Sequence, residues 1–134
     1  MDIERKTIID QIEIGRLRVI GVRFALLLIE DGIETDCKWH RTAIEPGGDV
    51  EATIAAVNAN LADMKRPAVE TDRITELKAI AGLVHTPDAI AAFRAEQAAR
   101  AEQMADGAKI AAAVQNYRAE KSAREAKRSA APNR

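Results

Sequence analysis

Aromatic residues are scarce in this chain: one Trp, one Tyr and two Phe make up 3% of it. Aromatic side chains carry the largest apolar areas, so a core built without them must rely on aliphatic residues. Much of the 47% apolar content, however, is alanine concentrated in the last third of the 134 residues. The chain is long enough for one folded domain, but its core is smaller than the percentage implies, which favours partners. A single cysteine excludes an internal disulfide and leaves pairing between chains open. Neither sign of charge dominates: the net charge is −1 and the pI is near 6.1. Nothing global therefore attracts nucleic acid or an anionic membrane. The longest apolar stretch, Val19 to Ile29, is interrupted by Arg23 and is shorter than the roughly 20 residues that span a bilayer. Met1 to Asp10 carries Asp2, Glu4, Arg5 and Lys6 and lacks the apolar core of a secretion signal. A soluble protein with no membrane partner and no export by that route is expected.

The clearest local instruction lies between Val22 and Ile44, where two apolar runs flank Asp31-Gly32. Asp-Gly accepts the positive φ values of a type I′ turn, so the stretch reads as a β-hairpin. With Glu30 and Ile33 flanking the turn, an unbroken register sets Leu28 opposite Thr35, Leu26 opposite Cys37, Phe24 opposite Trp39 and Val22 opposite Arg41 on one apolar face. The other face, mixed in character, pairs Ile29 with Glu34, Leu27 with Asp36, Ala25 with Lys38 and Arg23 with His40. On that register Cys37 is a small core residue, and Trp39 meets Phe24 across the strands.

Before the hairpin, Thr7 to Ile14 alternates as a strand, with Ile8, Ile12 and Ile14 on one side and Ile9, Gln11 and Glu13 on the other. Arg16 to Ile20 continues in extended character, and Gly21 marks a bulge or kink, giving three or four antiparallel strands. After the hairpin, Glu45-Pro46-Gly47-Gly48-Asp49 is a turn that offers Asp49 as a helix cap. Val50, Ile54, Val57, Leu61 and Met64 recur at helical spacing up to Lys65, and Pro67 ends that helix. Thr71 then caps a second helix, which carries Ile74, Leu77, Ala81 and Val84 on one side. The expected fold class is α+β: an antiparallel sheet with a central hairpin packed on two helices, over residues 1–85. Its core pairs Phe24, Leu26, Cys37 and Trp39 with Val50, Ile54, Val57 and Leu61.

Thr86-Pro87-Asp88 joins a hydroxyl cap, a proline at the first helical position and an acid in the first turn. From there to about Arg128 the chain is rich in Ala, Glu, Gln, Arg and Lys, which are strong helix formers. Unbroken, this helix runs for roughly 60 Å at 1.5 Å per residue and projects beyond the unit before it. Asp106-Gly107 is the weak point, since Gly costs about 1 kcal/mol against Ala, and a helical hairpin is the alternative. The organisation is thus 1–85, a helical extension over 86–128 and a flexible tail over 129–134. No leucine seam runs along the extension: Ile90, Gln97, Ala101, Met104, Ala108, Ala111 and Gln115 form a thin one of small and polar residues. A helix so poor in apolar surface is marginal alone in water and gains order from external contacts. Ile90, Phe93, Met104, Ile110, Val114 and Tyr117 are the side chains expected to make them. The chain beyond Glu120 is basic but lacks interleaved aromatics, so nucleic acid is not the expected partner.

Little in the sequence points to chemistry. Cys37 and His40 are three apart on a strand, which places them on opposite faces, unable to share a metal. His85 stands alone just before the Thr86 cap. Gly47 and Gly48 lack the lysine and hydroxyl of a phosphate loop, and no nucleophile–His–acid arrangement can be assembled. No enzyme, metal or cofactor is expected.

The run Trp39-His40-Arg41-Thr42-Ala43-Ile44-Glu45-Pro46-Gly47-Gly48-Asp49, followed by Ala55-Ala56-Val57-Asn58-Ala59-Asn60-Leu61, resembles small uncharacterised proteins encoded among tailed-bacteriophage structural genes. In those proteins a strand ending in His-Arg and a Pro-Gly-Asp turn lead into such a helix and then a Thr-Pro helix start, like Thr86-Pro87-Asp88 here. The likeness covers about half the chain and carries over no catalytic or binding residue. It implies a structural protein of a phage tail, baseplate or neck, found in the virion and, during assembly, in the host cytoplasm. Its partners would be other phage structural proteins or copies of itself. A small non-virion adaptor or assembly factor that binds one protein partner is the alternative.

Overall fold

The computed structural model describes residues 1–130 and has α+β architecture. Its elements are β1 (Ile3–Ile14), a 3-10 turn (Arg16–Arg18), β2 (Ile20–Glu30), β3 (Ile33–Ile44), α1 (Val50–Asp63), α2 (Ile74–Val84) and α3 (Pro87–Ala130). The three strands form one antiparallel sheet in the order β1-β2-β3. The chain divides into two compact units, Met1–Phe93 and a second that begins at Arg94.

In the first unit the Asp31-Gly32 turn forms as its chemistry dictates, with φ of 51° and 80° at the two residues, both positive as a type I′ turn requires. Glu30 faces Ile33 and Ile29 faces Glu34, but the next pair is Leu28 with Asp36, leaving Thr35 as a bulge. One extra residue reverses the facing of everything beyond it. Leu27 now faces Cys37, Ala25 faces Trp39 and Phe24 faces His40. The unbroken register expected from sequence is therefore corrected from Thr35 onward. The physical reason lies further along the strand, where that register sets Arg41 opposite Val22 on the core face, and burying an unpaired charge is costly. With the bulge, Arg41 lies opposite Arg23 outside the core and Ile44 opposite Ile20 within it. The Thr35 hydroxyl, 3.4 Å from the Leu28 carbonyl, donates to it beside the disrupted ladder.

A second bulge, at Asp10, changes β1 in the same way. Ile9 pairs with Phe24 and Ile12 with Val22, so Ile9 and Ile12 share the core face and Ile8 turns to the other. Arg73 stabilises the irregularity, its Nη1 donating to the carbonyls of Ile9 at 3.0 Å and Asp10 at 3.2 Å. Along the free edge of β1, Thr7 makes an isolated parallel bridge with Val69. The Thr7 hydroxyl donates to the Pro67 carbonyl at 2.8 Å, and its carbonyl accepts from the Glu70 N–H at 2.7 Å. These bonds satisfy the one fully buried polar side chain among the described residues. Arg16 to Arg18 forms a tight turn with φ near +60° at Leu17 and Arg18, in place of the extended continuation expected there.

α1 and α2 cover the inner face of the sheet. Asp49 caps α1, its carboxylate accepting from the Glu51 N–H at 2.9 Å, while Val50, Ile54, Val57 and Leu61 are buried and Met64 is exposed. α2 starts at Ile74 with Arg73 in the cap position and no side-chain cap bond. Thr71 is thus not its cap; its carbonyl accepts from the Ile74 N–H in the preceding turn. Leu77 and Ala81 face inward, with Ile74 and Val84 partly buried. Together with Ile20, Val22, Phe24, Leu26 and Ile44 these side chains make one continuous core.

The Thr86 hydroxyl caps α3 by accepting from the Ala89 N–H at 3.2 Å, and Ala89 is buried. In the second unit α3 continues unbroken through Asp106-Gly107 to Ala130, so the helical hairpin does not form. Helix formers on both sides outweigh the single glycine. Of the tail expected over 129–134, Ser129 and Ala130 still belong to α3, and the remainder lies outside the described residues.

Candidate interaction surface

Six of the eight expected core residues, Phe24, Leu26, Val50, Ile54, Val57 and Leu61, are buried between sheet and helices. Trp39 and Cys37 are the exceptions. The Thr35 bulge turns both to the outer face of the sheet, where Trp39 is 52% exposed and Cys37 partly so. The partner of Phe24 is His40 instead, with ring centroids 6.1 Å apart and planes inclined by 40°.

The register gives the outer face a definite layout. Ile8, Ala25 and Trp39 lie in one cross-strand row, Lys6, Leu27 and Cys37 in the next, and Glu4, Ile29 and Glu34 in the row nearest the hairpin turn. Ala25 is only 2% exposed, so its methyl is already covered by the larger side chains around it on this face. Arg23 lies in the next row away from the turn, between Gln11 and Arg41. Its Nε donates to the Asp10 carboxylate at 2.9 Å, and its guanidinium carbon lies 4.2 Å from the Trp39 ring centroid. Carboxylates increase toward the turn. On this face Glu4 and Glu34 stand there against Lys6, with Asp2 and Asp31 at the turn itself, while Glu30, Asp36, Arg5 and Lys38 belong by register to the opposite face; Lys6 pairs with Glu4 at 3.5 Å. Partial burial pushes the Cys37 thiol pKa up, and Glu34, Asp10 and Asp36 push it further against the opposing pull of Arg23.

Sequence reading missed this face. The signal for it was the near-continuous apolar run from Ile20 to Ile29 in β2, since a strand with one solvated face alternates, whereas one with two apolar faces does not.

The six side chains expected to make contacts fall in two groups. Ile90 and Phe93 belong to the first unit and are partly buried there. Met104, Ile110, Val114 and Tyr117 belong to the second and are exposed, Ile110 by 66% and Tyr117 by 65%. Ile110, Val114 and Tyr117 follow one another at spacings of four and three, which places them on one helix face. Continuing the same alternation gives Lys121, Arg124 and Arg128. This face of α3 is therefore apolar for two turns and basic for the next three. Met104 points about a third of a turn away from it.

The described residues include no group of three or more His, Cys, Asp or Glu placed to hold a metal ion. His85, at the C-terminus of α2, has its Nε2 2.9 Å from the Arg18 carbonyl and so donates to it. Arg18 in turn donates to the Val84 carbonyl at 3.4 Å. These bonds tie the Arg16–Arg18 turn to the end of α2 and give His85 a structural role. A groove of about 210 Å³ beside the Asp10 bulge is lined by Ile8, Ile9, Glu70, Asp72 and Arg73. That is below the roughly 300–1,000 Å³ of a typical small-molecule site. Among the described residues no helix is long and apolar enough to cross a membrane. Comparison with protein-family models, with curated proteins and with solved structures finds no match to this chain.

Proposed function

We propose that this chain is a non-catalytic structural or assembly protein of a tailed-phage particle, of its tail, baseplate or neck, and that it joins its neighbours through α3. The observation that carries this reading is the exposure of Ile110, Val114 and Tyr117 on a single face of a 44-residue helix. Large apolar side chains grouped on one helix face are the usual form of a helix that docks on another protein. The phage setting is supported by the resemblance carried by Trp39 to Asp49, the helix after it and the Thr86-Pro87-Asp88 start. The protein would work in the virion and, before that, in the host cytoplasm.

The test uses the phage that carries the gene, with wild-type chain and with the double variant Ile110→Glu/Val114→Glu. Glutamate is a good helix former, so the helix is retained while its apolar face is lost. Mass-spectrometric inventory of purified particles should find the wild-type chain in fixed stoichiometry and the variant depleted at least tenfold. A wild-type chain missing from particles but co-purifying with one host or phage protein would replace this reading with the transient adaptor. Undiminished incorporation of the variant would remove α3 as the contact.

A further inference from the structure

We infer that the outer face of the sheet is the docking site for α3 of a second copy of this chain. The inference rests on the reading of α3 as the contact element and names the surface that receives it. Both surfaces change character in the same direction and over the same distance. On the sheet, the apolar Ile8–Ala25–Trp39 row gives way to the Glu4–Ile29–Glu34 row four residues along β2, about 13 Å at 3.3 Å per residue. On the helix, the apolar stripe centred on Val114 gives way to Lys121 and Arg124, the latter ten residues on and about 15 Å away at 1.5 Å per residue.

A helix laid along β2 with Val114 over Ala25 therefore brings Lys121 and Arg124 to the carboxylates of Glu4 and Glu34. Reversing its direction carries the same cations past Arg23 and Arg41 to the Glu13–Gly21–Ala43 row, where the carboxylates of Glu13 and Asp10 are balanced by the two guanidiniums and Asp10 is already engaged by Arg23, so charge favours the first polarity. Ile8, Leu27 and Trp39 supply the apolar contacts, with Trp39 52% exposed. The occupant is a second copy because the chain itself carries the complement in both size and charge. On this face the hairpin end holds Glu4 and Glu34, with Asp2 and Asp31 at the turn, against Lys6, and α3 from Arg118 to Ala130 holds five cations against two carboxylates.

Sedimentation velocity of the full chain over a concentration series tests this, with folding checked by circular dichroism. Two reversals are made at exposed positions: Glu4→Lys/Glu34→Lys on the sheet and Lys121→Glu/Arg124→Glu on the helix. The wild type should self-associate, and less so as salt rises. Each reversal alone should weaken association about tenfold, the effect of two exposed ion pairs turned into repulsions. All four substitutions together should restore most of the affinity. Leu27→Glu should act like the sheet reversal without altering the helix. A chain that stays monomeric at every concentration overturns the inference, as does association that the helix variants weaken but the sheet variants do not. The latter result would mean that helices pair with each other. Neither result removes α3 from the particle, which the incorporation experiment reads separately.

Discussion

Arg23 lies over the indole of Trp39, its guanidinium carbon 4.2 Å from the ring centroid, on the face of the sheet opposite the core. The two side chains are not directly opposite in the ladder. Trp39 faces Ala25, and Arg23 faces Arg41. The stacking fills the diagonal between rows, while Asp10 offsets the like-charge contact of Arg23 with Arg41.

Truncating that indole should therefore cost little. A cation–π contact at an exposed site contributes about 0.5–1 kcal/mol, and Trp39 is already half in water. Trp39→Ala is expected to lower stability by about 1 kcal/mol, whereas Phe24→Ala, in the middle of the core, should cost about 3–5 kcal/mol. Urea unfolding of the two variants reads the difference directly. The native emission maximum should be that of a largely solvated indole, and a strongly blue-shifted maximum would place Trp39 back in the core.

Cys37 should react in the folded state. Its side chain is partly exposed, so a thiol reagent should modify it without denaturant, in contrast to the resistance of a core cysteine. Desolvation and the neighbouring carboxylates hold the thiol pKa above its ordinary value, so the thiolate fraction near neutral pH is below that of free cysteine. The modification rate should climb with pH along a profile displaced to the alkaline side of a free thiol. Glu34→Gln, removing the largest carboxylate contribution, should shift the profile back. Modification only after unfolding would contradict the placement.

How much of this was legible in the sequence depends on parity. The Asp31-Gly32 turn, the Asp49 and Thr86 caps and the α1 stripe are local, and each formed as its residues dictate. The facing of β3 is not local, because a single unpaired residue reverses it and no residue type by itself announces a bulge at Thr35. The contradiction available in advance was Arg41. An unbroken ladder would have buried it opposite Val22, and the inconsistency could have been resolved only by moving the register. Asp10 was equally silent, since its bulge is stabilised from Arg73, far away in sequence. The candidate docking face is hidden for the same reason, since an unbroken register puts Trp39 and Cys37 in the core.

Arg73 links that bulge to α2, and its removal should be felt in two separable ways. Its bonds to the Ile9 and Asp10 carbonyls are lost in Arg73→Ala, which should destabilise the first unit by about 1–3 kcal/mol. Its hydrogen bond to Glu76 holds that carboxyl below its ordinary value of 4.5. A folded pKa below the unfolded one means stability that is fully present above the ordinary carboxylate range and lost as pH falls through the lowered value. Glu76→Gln should abolish this acid-side loss yet retain the carbonyl bonds. Urea midpoints at pH 7 and pH 3 should therefore converge for Glu76→Gln relative to wild type, and an unchanged difference would show that the pair contributes nothing.

Gly107 is the sharpest test of α3. A helical hairpin would use Asp106-Gly107 as its turn and would need the glycine, whereas a continuous helix would be better without it. A methyl group added at Gly107 meets nothing within 4 Å, and the residue does not have positive φ, so no steric cost opposes alanine. The helix-propensity difference then stands alone and should stabilise α3 locally by about 1 kcal/mol. Gly107→Ala should raise the helical signal at 222 nm and slow amide exchange through the residues around Asp106. Reduced helicity would mean that the glycine is required for a turn, and α3 would have to be redrawn as two helices.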